Sequence, residues 1–241
     1  EVLITKGTKF DMGGNTNLKV KWLEIKDSTV VNSSLNPPMI TNGSITADSV
    51  LYVRSFPLYV TGSTTVHAWN FFGVPYPVSV GKLEGATPET SVRIQQYSES
   101  TRATNGADKS AWTNLSASSM LNIGTGYSLN LNSTKLPFRQ TIIFPSNGGT
   151  VTLSSTGSTD VSGLSYTTTG SQSWTERGWN FISNPYPQPA YIKYQSLSSG
   201  YWPGTMTSGN IAGGYAGGVF IYNANIDYYD IWTLSDFQSV G

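Results

Sequence analysis

The sequence predicts an all-β protein built from duplicated β-sandwich modules of the jelly-roll kind. Three observations predict this fold: short apolar runs bounded by turn residues, the lack of a sustained helical period, and a motif that occurs twice. Only 12% of the residues are charged, and Ser, Thr, Asn and Gly take their place, which favours strands and turns over helices. Aromatic residues, also 12%, supply large side chains for a core.

The first fifty residues differ in pattern from the rest of the chain. Alternation along the segment that contains Leu18, Val20 and Trp22 predicts a strand with these three side chains on its buried face. Other short apolar steps are separated by Asn-Gly turns such as the one at Asn42. This pattern fits two structures equally well, the last coils of a β-solenoid or short edge strands that lead into a sandwich. Residues 1–50 are therefore predicted to form a lead-in segment.

A motif that occurs twice is the most informative feature of the chain. The segment HAWNFFGVPYP at 67–77 returns 110 residues later as RGWNFISNPYP at 177–187. Each copy is followed by an apolar run that ends in a tyrosine, Tyr97 or Tyr222, and then by a polar turn and a tryptophan. Two matched landmarks of this length indicate an internal duplication.

The duplication divides the rest of the chain into two predicted modules. The first β module covers 51–155, and the second covers 156–241. The second copy lacks a counterpart of the Gly-Thr-Gly-Tyr segment at 124–127, so it is predicted to be incomplete. Truncation explains this, and so does a strand supplied by another segment. A sheet that lacks a strand exposes an unpaired edge, which favours pairing with another domain or chain.

The chemistry of the repeated motif favours a structural role. Its aromatic residues alternate as in a strand with one buried face, and its prolines cannot donate ladder hydrogen bonds. An aromatic residue before proline also raises the chance of a cis bond at Tyr76–Pro77 and at Tyr186–Pro187. We predict a core strand that ends in a fixed corner, with a ligand-contacting loop as the alternative. The motif residues are Trp69, Asn70, Pro75, Tyr76 and Pro77, then Trp179, Asn180, Pro185, Tyr186 and Pro187.

Composition argues against several classes of function. The formal net charge is zero, so no field of either sign attracts nucleic acid or an anionic membrane. The chain has no cysteine, which excludes disulfides, thiolate zinc sites and cysteine nucleophiles. No stretch approaches the roughly 18 consecutive apolar residues of a membrane-spanning helix, so no membrane insertion is predicted.

Side chains that commonly perform catalysis are sparse. The single histidine, His67, is replaced by Arg177 in the second copy of the motif, which favours a surface histidine over a general base. A glycosidase needs two carboxylates at a specific separation. The favoured interpretation of the carboxylate pairs in this chain is that they are charged residues of loops. These pairs are Glu84 with Glu89 and Asp227 with Asp230. The segment that begins at Asp11 lacks the ligand spacing of a calcium-binding loop, and it predicts a turn. We predict no enzyme, no cofactor and no metal site.

Aromatic residues crowd the C-terminal region and provide the one route to ligand binding. Flat rings on a β-sheet stack on sugar faces, so this region is a candidate glycan platform. Core packing is the favoured alternative, because alternation along a strand directs every other ring inward. The candidate glycan contacts are Tyr201, Trp202, Tyr228 and Tyr229.

The second copy of the motif, GWNFISNPYP at 178–187, resembles the GWNLIGNPYP motif of large secreted proteins of the Bacteroidetes. In that family the motif typically precedes a strand like the one at 220–223 and a Gly-rich strand, which 124–129 resembles. The resemblance covers roughly residues 50 to 241. It implies export, often by type IX secretion, and surface display in a multidomain, adhesin-like chain. It implies no catalytic residues.

Two short patterns resemble the O-glycosylation signal of the same bacterial group. They are Asp-Ser-Thr at 27–29 and Asp-Ser-Val at 48–50, which makes Ser28 and Ser49 candidate acceptors.

Together these features predict a non-catalytic, extracellular structural or adhesive module of a larger secreted or surface-displayed bacterial protein. An assembly or filament subunit is one form of this prediction. Its expected partners are other domains or chains of a surface assembly, joined by strand addition. The alternative is a carbohydrate-binding module attached to a secreted enzyme.

Overall fold

Strands dominate the structure, a computed structural model of the chain, and confirm the predicted all-β fold. The structure describes residues 1–5, 8–14, 17–28, 39–57, 66–85, 90–106, 111–133, 139–154, 167, 178–183, 218–223 and 228–233. The strands are β1 (Val2–Thr5), β2 (Lys9–Asp11), β3 (Asn17–Ser28), β4 (Met39–Thr41), β5 (Ser44–Pro57), β6 (Val66–Phe72), β7 (Val78–Ser79), β8 (Thr90–Tyr97), β9 (Trp112–Asn114), β10 (Met120–Leu121), β11 (Tyr127–Ser133), β12 (Arg139–Pro145), β13 (Val151–Ser154), β14 (Gly218–Asn223) and β15 (Tyr228–Thr233). A 3₁₀ turn at Val80–Lys82 and the helix α1 (Glu99–Asn105) complete the described elements. The predicted duplication of a sandwich stays a prediction.

The chain forms two compact units, each assembled from separate stretches of sequence. The first comprises Glu1–Tyr97, Trp112–Thr159 and Phe181–Ala190, and the second comprises Ser98–Ala111, Asp160–Asn180 and Tyr191–Gly241. The predicted modules, in contrast, are contiguous stretches.

The largest sheet of the first unit has strand order β1-β3-β5-β12, with β13 also paired to β5. Strands β1, β3 and β5 are parallel, and β2 pairs with β4 in the same sense. The predicted Asn-Gly turn joins β4 to β5, with Asn42 in the left-handed region at a φ of 57°. Parallel stacking of successive segments is the pairing of solenoid coils, which favours the solenoid alternative for the lead-in. Strand β5 runs without interruption across residues 50 and 51, so the predicted boundary there falls inside a strand.

In strands β3 and β5, the two-residue alternation of buried side chains shifts by one residue. The shift occurs at paired positions of the two strands. In β3 the half-buried Val20 is followed by the buried Leu23, and in β5 the buried Ala47 is followed by the buried Val50. Val20 pairs with Ala47 and Leu23 pairs with Val50, so the two strands shift phase together. Trp22 falls at this shift and is 36% exposed, so its predicted place on the buried face is wrong.

The second large sheet of the first unit is antiparallel, with strand order β6-β11-β8-β9. Rings from both sheets meet in one core: Phe56 of β5 lies 5.8 Å from Phe72 of β6, and Phe72 lies 5.6 Å from Phe144 of β12. Burial of these side chains supplies the main stabilisation of the unit. Other core residues are Ile4, Leu23, Ile25, Ile45, Val50, Tyr127 and Leu129.

The second unit contains a helix and a hairpin among its described residues. Helix α1 begins after Ser98, whose side chain accepts a hydrogen bond from the Thr101 N–H, and ends at Gly106 with a φ of 92°. Its seven residues are too few to produce a sequence period, and the helix was not predicted. Strands β14 and β15 form an antiparallel pair. No helix among the described residues has the length and apolarity needed to cross a membrane.

Candidate functional site

The first copy of the motif forms a strand that ends in a buried corner. Strand β6 stops before Pro75, and Tyr76 is only 1% exposed. The Tyr76 hydroxyl donates a hydrogen bond of 2.5 Å to the Phe144 carbonyl of β12, which ties the corner to the other sheet. Burial raises the pKa of Tyr76 above its usual value. The Tyr76–Pro77 peptide bond is trans, although the preceding aromatic residue raises the frequency of the cis form.

The second copy of the motif has a different backbone environment. Residues 178–183 form no strand, and Ile182 makes an isolated antiparallel bridge with Thr125. The Gly126 N–H donates to the Phe181 carbonyl at 3.0 Å, and the Ser183 N–H donates to the Gly124 carbonyl at 3.0 Å. The segment 181–183 is thus added to the Gly-Thr-Gly segment that leads into β11.

Four aromatic side chains of the first unit form a cluster at this bridge. They are Phe71, Tyr97, Trp112 and Phe181, which we call the aromatic cluster. The Phe71 and Trp112 rings are stacked with centroids 6.1 Å apart, and the Phe181 ring meets them edge-on at 5.0 and 5.5 Å. Tyr97 contacts Trp112 edge-on at 5.3 Å. Each of the four side chains is half-buried, so the cluster is a packing unit with partly accessible rings.

Two glycines permit the close approach of segment 181–183. A Cβ at Gly126 falls 2.5 Å from Cδ1 of Phe181, and a Cβ at Gly73 falls 2.0 Å from the Ser183 hydroxyl oxygen. A larger residue at either position requires the Phe181 ring or the Ser183 side chain to move, because real Cβ contacts are not that short. The Ser183 hydroxyl also donates to the Thr125 carbonyl at 2.9 Å.

Amide side chains lie on the same face of the antiparallel sheet as the cluster. Tyr97 pairs with Trp112 and Gln95 pairs with Asn114, so these side chains share one face because alternate residues of a strand do. The Gln95 amide donates to the Asn114 carbonyl oxygen at 2.9 Å. This face therefore combines flat rings with amide groups.

The second unit has a buried carboxylate that sequence reasoning missed. Glu99 is 3% exposed and accepts three hydrogen bonds, from the Thr167 N–H at 3.0 Å, the Thr167 hydroxyl at 2.6 Å and the Gly178 N–H at 2.8 Å. On the next turn of α1 the Arg102 guanidinium lies 4.8 Å from the Trp179 ring centroid, a cation–π contact. The helix therefore holds the start of the second motif copy. The sequence signal was Ser98 followed by Glu99, a helix start.

The other predicted residues fall in several settings. Asn70, Trp179 and Asn180 are half-buried, and Ser49 is half-buried in β5. Trp69 and Ser28 lie in β6 and β3, and Tyr228 and Tyr229 lie in β15, but the side chains of these four lie outside the described part. Outside the described residues altogether are Pro185, Tyr186, Pro187, Tyr201 and Trp202.

The hairpin registers differ between the two copies. In the first copy Tyr97 pairs with Trp112, whereas in the second Tyr222 pairs with Tyr229 and Trp232 pairs with Val219. The two tryptophans that follow the copies in sequence are therefore not in equivalent ladder positions.

The Asp11 carboxylate is used in a turn, as predicted. It accepts from the Gly13 N–H at 2.9 Å and from the Asn42 amide at 2.8 Å, and Lys9 lies 3.3 Å away. These contacts hold the pKa of Asp11 below its usual value, the Gly13 bond most strongly. Glu84 is exposed. In the part of the chain that the structure describes, no three acidic or histidine side chains gather as a metal site needs.

No protein-family model, no curated protein and no solved structure matches this chain.

Proposed function

We propose that this chain is a non-catalytic structural or adhesive module of a larger extracellular bacterial protein. One observation carries the proposal: the segment 181–183 is added to the Gly-Thr-Gly segment at 124–126 by two backbone hydrogen bonds and anchored by the Phe181 ring. Strand addition with a side-chain anchor is a common way for β proteins to join extended segments of other domains or chains. Strand addition of this kind suits a module that assembles with other domains or chains.

The internal hydrogen bonds of two buried polar side chains support the same proposal. The Tyr76 hydroxyl is committed to the Phe144 carbonyl, and the Glu99 carboxylate is committed to Thr167 and Gly178. Groups that are saturated by internal hydrogen bonds hold a fold together and are poorly placed to exchange protons with a substrate.

Surface display is the part of the proposal that is tested first. Antibodies against the chain should label intact cells of the native bacterium, and protease added outside should remove the label. Labelling only after the cells are permeabilised contradicts the proposal. The purified chain, coated on beads, should also promote adhesion to cells of the same bacterium, with albumin-coated beads as the control. Turnover of a polysaccharide or protein by the chain contradicts a non-catalytic role.

Carbohydrate binding is a second candidate function, and the face that carries the aromatic cluster favours it. Half-buried Tyr97 and Trp112 lie beside the Gln95–Asn114 amide pair, and rings next to amides are the groups that contact sugars. Binding on a glycan array should then be lost with Trp112→Ala and retained with Thr113→Ala, because Thr113 is exposed and lies on the opposite face of the same strand. No binding to any glycan removes this candidate.

A further inference from the structure

One Gly-rich segment pairs with both copies of the motif. Phe72 of the first copy pairs with Tyr127 at the start of β11. Ile182, which holds the place of Phe72 in the second copy, forms its bridge with Thr125. Both pairings are antiparallel. Residues 124–127, which we call the acceptor segment, therefore bind the backbone of either motif copy at positions two residues apart.

Equivalent residues of the two copies also contact each other beside the acceptor segment. Phe71 and Phe181 hold the same place in the two copies, and their rings meet edge-on with centroids 5.0 Å apart. Gly73 and Ser183 likewise correspond, and the Ser183 side chain occupies the space that a Cβ on Gly73 would need. Strand pairing alone does not require this match. The second copy is bound to a surface that the first copy helps to form.

A slot for one aromatic ring lies at the centre of this surface. Its floor is Gly126, where a Cβ would come within 2.5 Å of the Phe181 ring. Its walls are the rings of Phe71 and Trp112, which Phe181 meets edge-on at 5.0 and 5.5 Å. Edge-to-face contacts of this kind favour a ring over an aliphatic side chain of similar size. The slot therefore selects an aromatic residue at the first position of the bound segment.

The next two positions of the bound segment have different requirements. Ile182 is 41% exposed, so its position accepts many side chains. The Ser183 N–H donates to the Gly124 carbonyl at 3.0 Å, and the Ser183 hydroxyl donates to the Thr125 carbonyl at 2.9 Å. Close contact with Gly73 leaves room for a small side chain only. The site therefore selects the pattern aromatic–variable–serine.

We propose that this site binds extended peptide segments of other chains with the pattern aromatic–variable–serine, the pattern of the segment that fills it here. Segment 181–183 is held by one isolated bridge, two backbone hydrogen bonds, one ring and one hydroxyl, so the same contacts from another chain can replace it. Exchange of identical contacts costs little and depends on the concentration of the competing segment. The inference rests on the proposed function, because it names the segment through which modules of this kind assemble.

Disulfide capture tests the site directly, because the chain has no cysteine of its own. The protein carries Thr125→Cys, and the probe is the peptide GWNFISNPYP, the sequence of 178–187, with Ile182→Cys. Bridge partners have Cβ atoms about 4.5–5.5 Å apart, close enough for a disulfide after a small adjustment. In a glutathione buffer with about 1 mM peptide, Thr125→Cys should capture the peptide at least about tenfold faster than Thr113→Cys. Thr113 is the matched control, because it is an exposed threonine of the same unit.

A second peptide shows whether the aromatic slot is responsible for capture. When the peptide also carries Phe181→Ala, Thr125→Cys should capture it no faster than Thr113→Cys does. Equal capture of the first peptide by the two proteins overturns the proposal, and so does equal capture of the two peptides by Thr125→Cys. Phe181 of the protein stays intact throughout, so the result does not depend on the folding of a variant that lacks it.

Emptying the slot provides an independent test. Fluorescence anisotropy with labelled GWNFISNPYP should give a Kd for the Phe181→Ala protein at least about tenfold lower than for the wild type, because the tethered competitor has lost its ring. Adding Gly126→Leu puts a side chain into the slot and should abolish this gain. Equal affinity for wild type and Phe181→Ala, or a gain that survives Gly126→Leu, overturns the proposal. Display on cells without peptide capture removes this inference and leaves the proposed function intact, so the two fail separately.

Discussion

At the scale of single residues, Tyr76 shows how the motif stabilises the fold. Its ring is buried at the corner after β6, and its hydroxyl donates a hydrogen bond to the Phe144 carbonyl. Proline on either side fixes the backbone that presents the ring. The sequence predicted the corner from these prolines, but it could not predict the acceptor, because Phe144 is 68 residues away.

Tyr76→Phe should destabilise the protein by about 0.5–1.5 kcal/mol, because it removes a buried hydrogen bond to the Phe144 carbonyl. Tyr76→Leu should cost more, since the ring contacts are lost as well. Urea unfolding of both variants measures the two losses separately. A Tyr76→Phe protein that is as stable as the wild type shows that the hydroxyl bond contributes nothing.

Glu99 ties Thr167 and Gly178 to helix α1 in the second unit. Glu99→Ala removes both acceptor oxygens, including Oε1, which accepts from the Thr167 N–H and from the Gly178 N–H. Bonds to a charged acceptor contribute about 1.5–3 kcal/mol, so exchange of the Thr167 and Gly178 amide hydrogens should accelerate about tenfold or more. Glu84→Ala is the matched control, because Glu84 is exposed. Unchanged exchange at both amides contradicts the role assigned to Glu99.

At the scale of elements, the sequence predicted strands well where the alternation of residues is not interrupted. The alternation in 67–72 and 92–97 matches β6 and β8. It placed Trp22 on the wrong face because β3 and β5 change phase together, and a two-residue period cannot show a bend that depends on a neighbouring strand. Helix α1 was not predicted, because its start and stop signals enclose only seven residues, too few to show a helical period.

The contact between Gly126 and Phe181 can be tested as a double-mutant cycle. Gly126→Ala should destabilise the protein by about 1–3 kcal/mol, because the new Cβ overlaps the Phe181 ring. In the Phe181→Ala background the same change should cost much less, since the overlap is gone. Gly124→Ala is the control: Gly124 has a φ of +76° and open space around it, so its cost is backbone strain and should add to that of Phe181→Ala. Strict additivity of Gly126→Ala and Phe181→Ala contradicts the contact.

At the scale of the whole molecule, the chain returns to the first unit after it has contributed to the second. The repeat predicted two contiguous modules, because each copy of a duplicated sequence is one continuous stretch of the chain. Compact units depend on which strands pair, and the pairing of Ile182 with Thr125 joins segments that sequence patterns treat as separate. Such long-range pairing leaves no periodic signal, so neither the unit bounds nor the aromatic cluster could be predicted from the residues alone.

Buried tyrosines should make the whole protein sensitive to alkaline pH. Burial raises the pKa of both Tyr76 and Tyr127 in the folded protein, whereas an unfolded tyrosine titrates near roughly pH 10. Above that pH the unfolded chain loses protons that the folded protein keeps, so the stability contributed by the neutral hydroxyls is fully present below about pH 10 and falls as the pH rises. For Tyr76 alone the slope approaches about 1.4 kcal/mol per pH unit. Urea unfolding between about pH 8 and 11 measures this slope, and Tyr76→Phe should flatten it even though that variant starts from a lower stability. Equal slopes for wild type and variant show that Tyr76 is not held neutral by the fold.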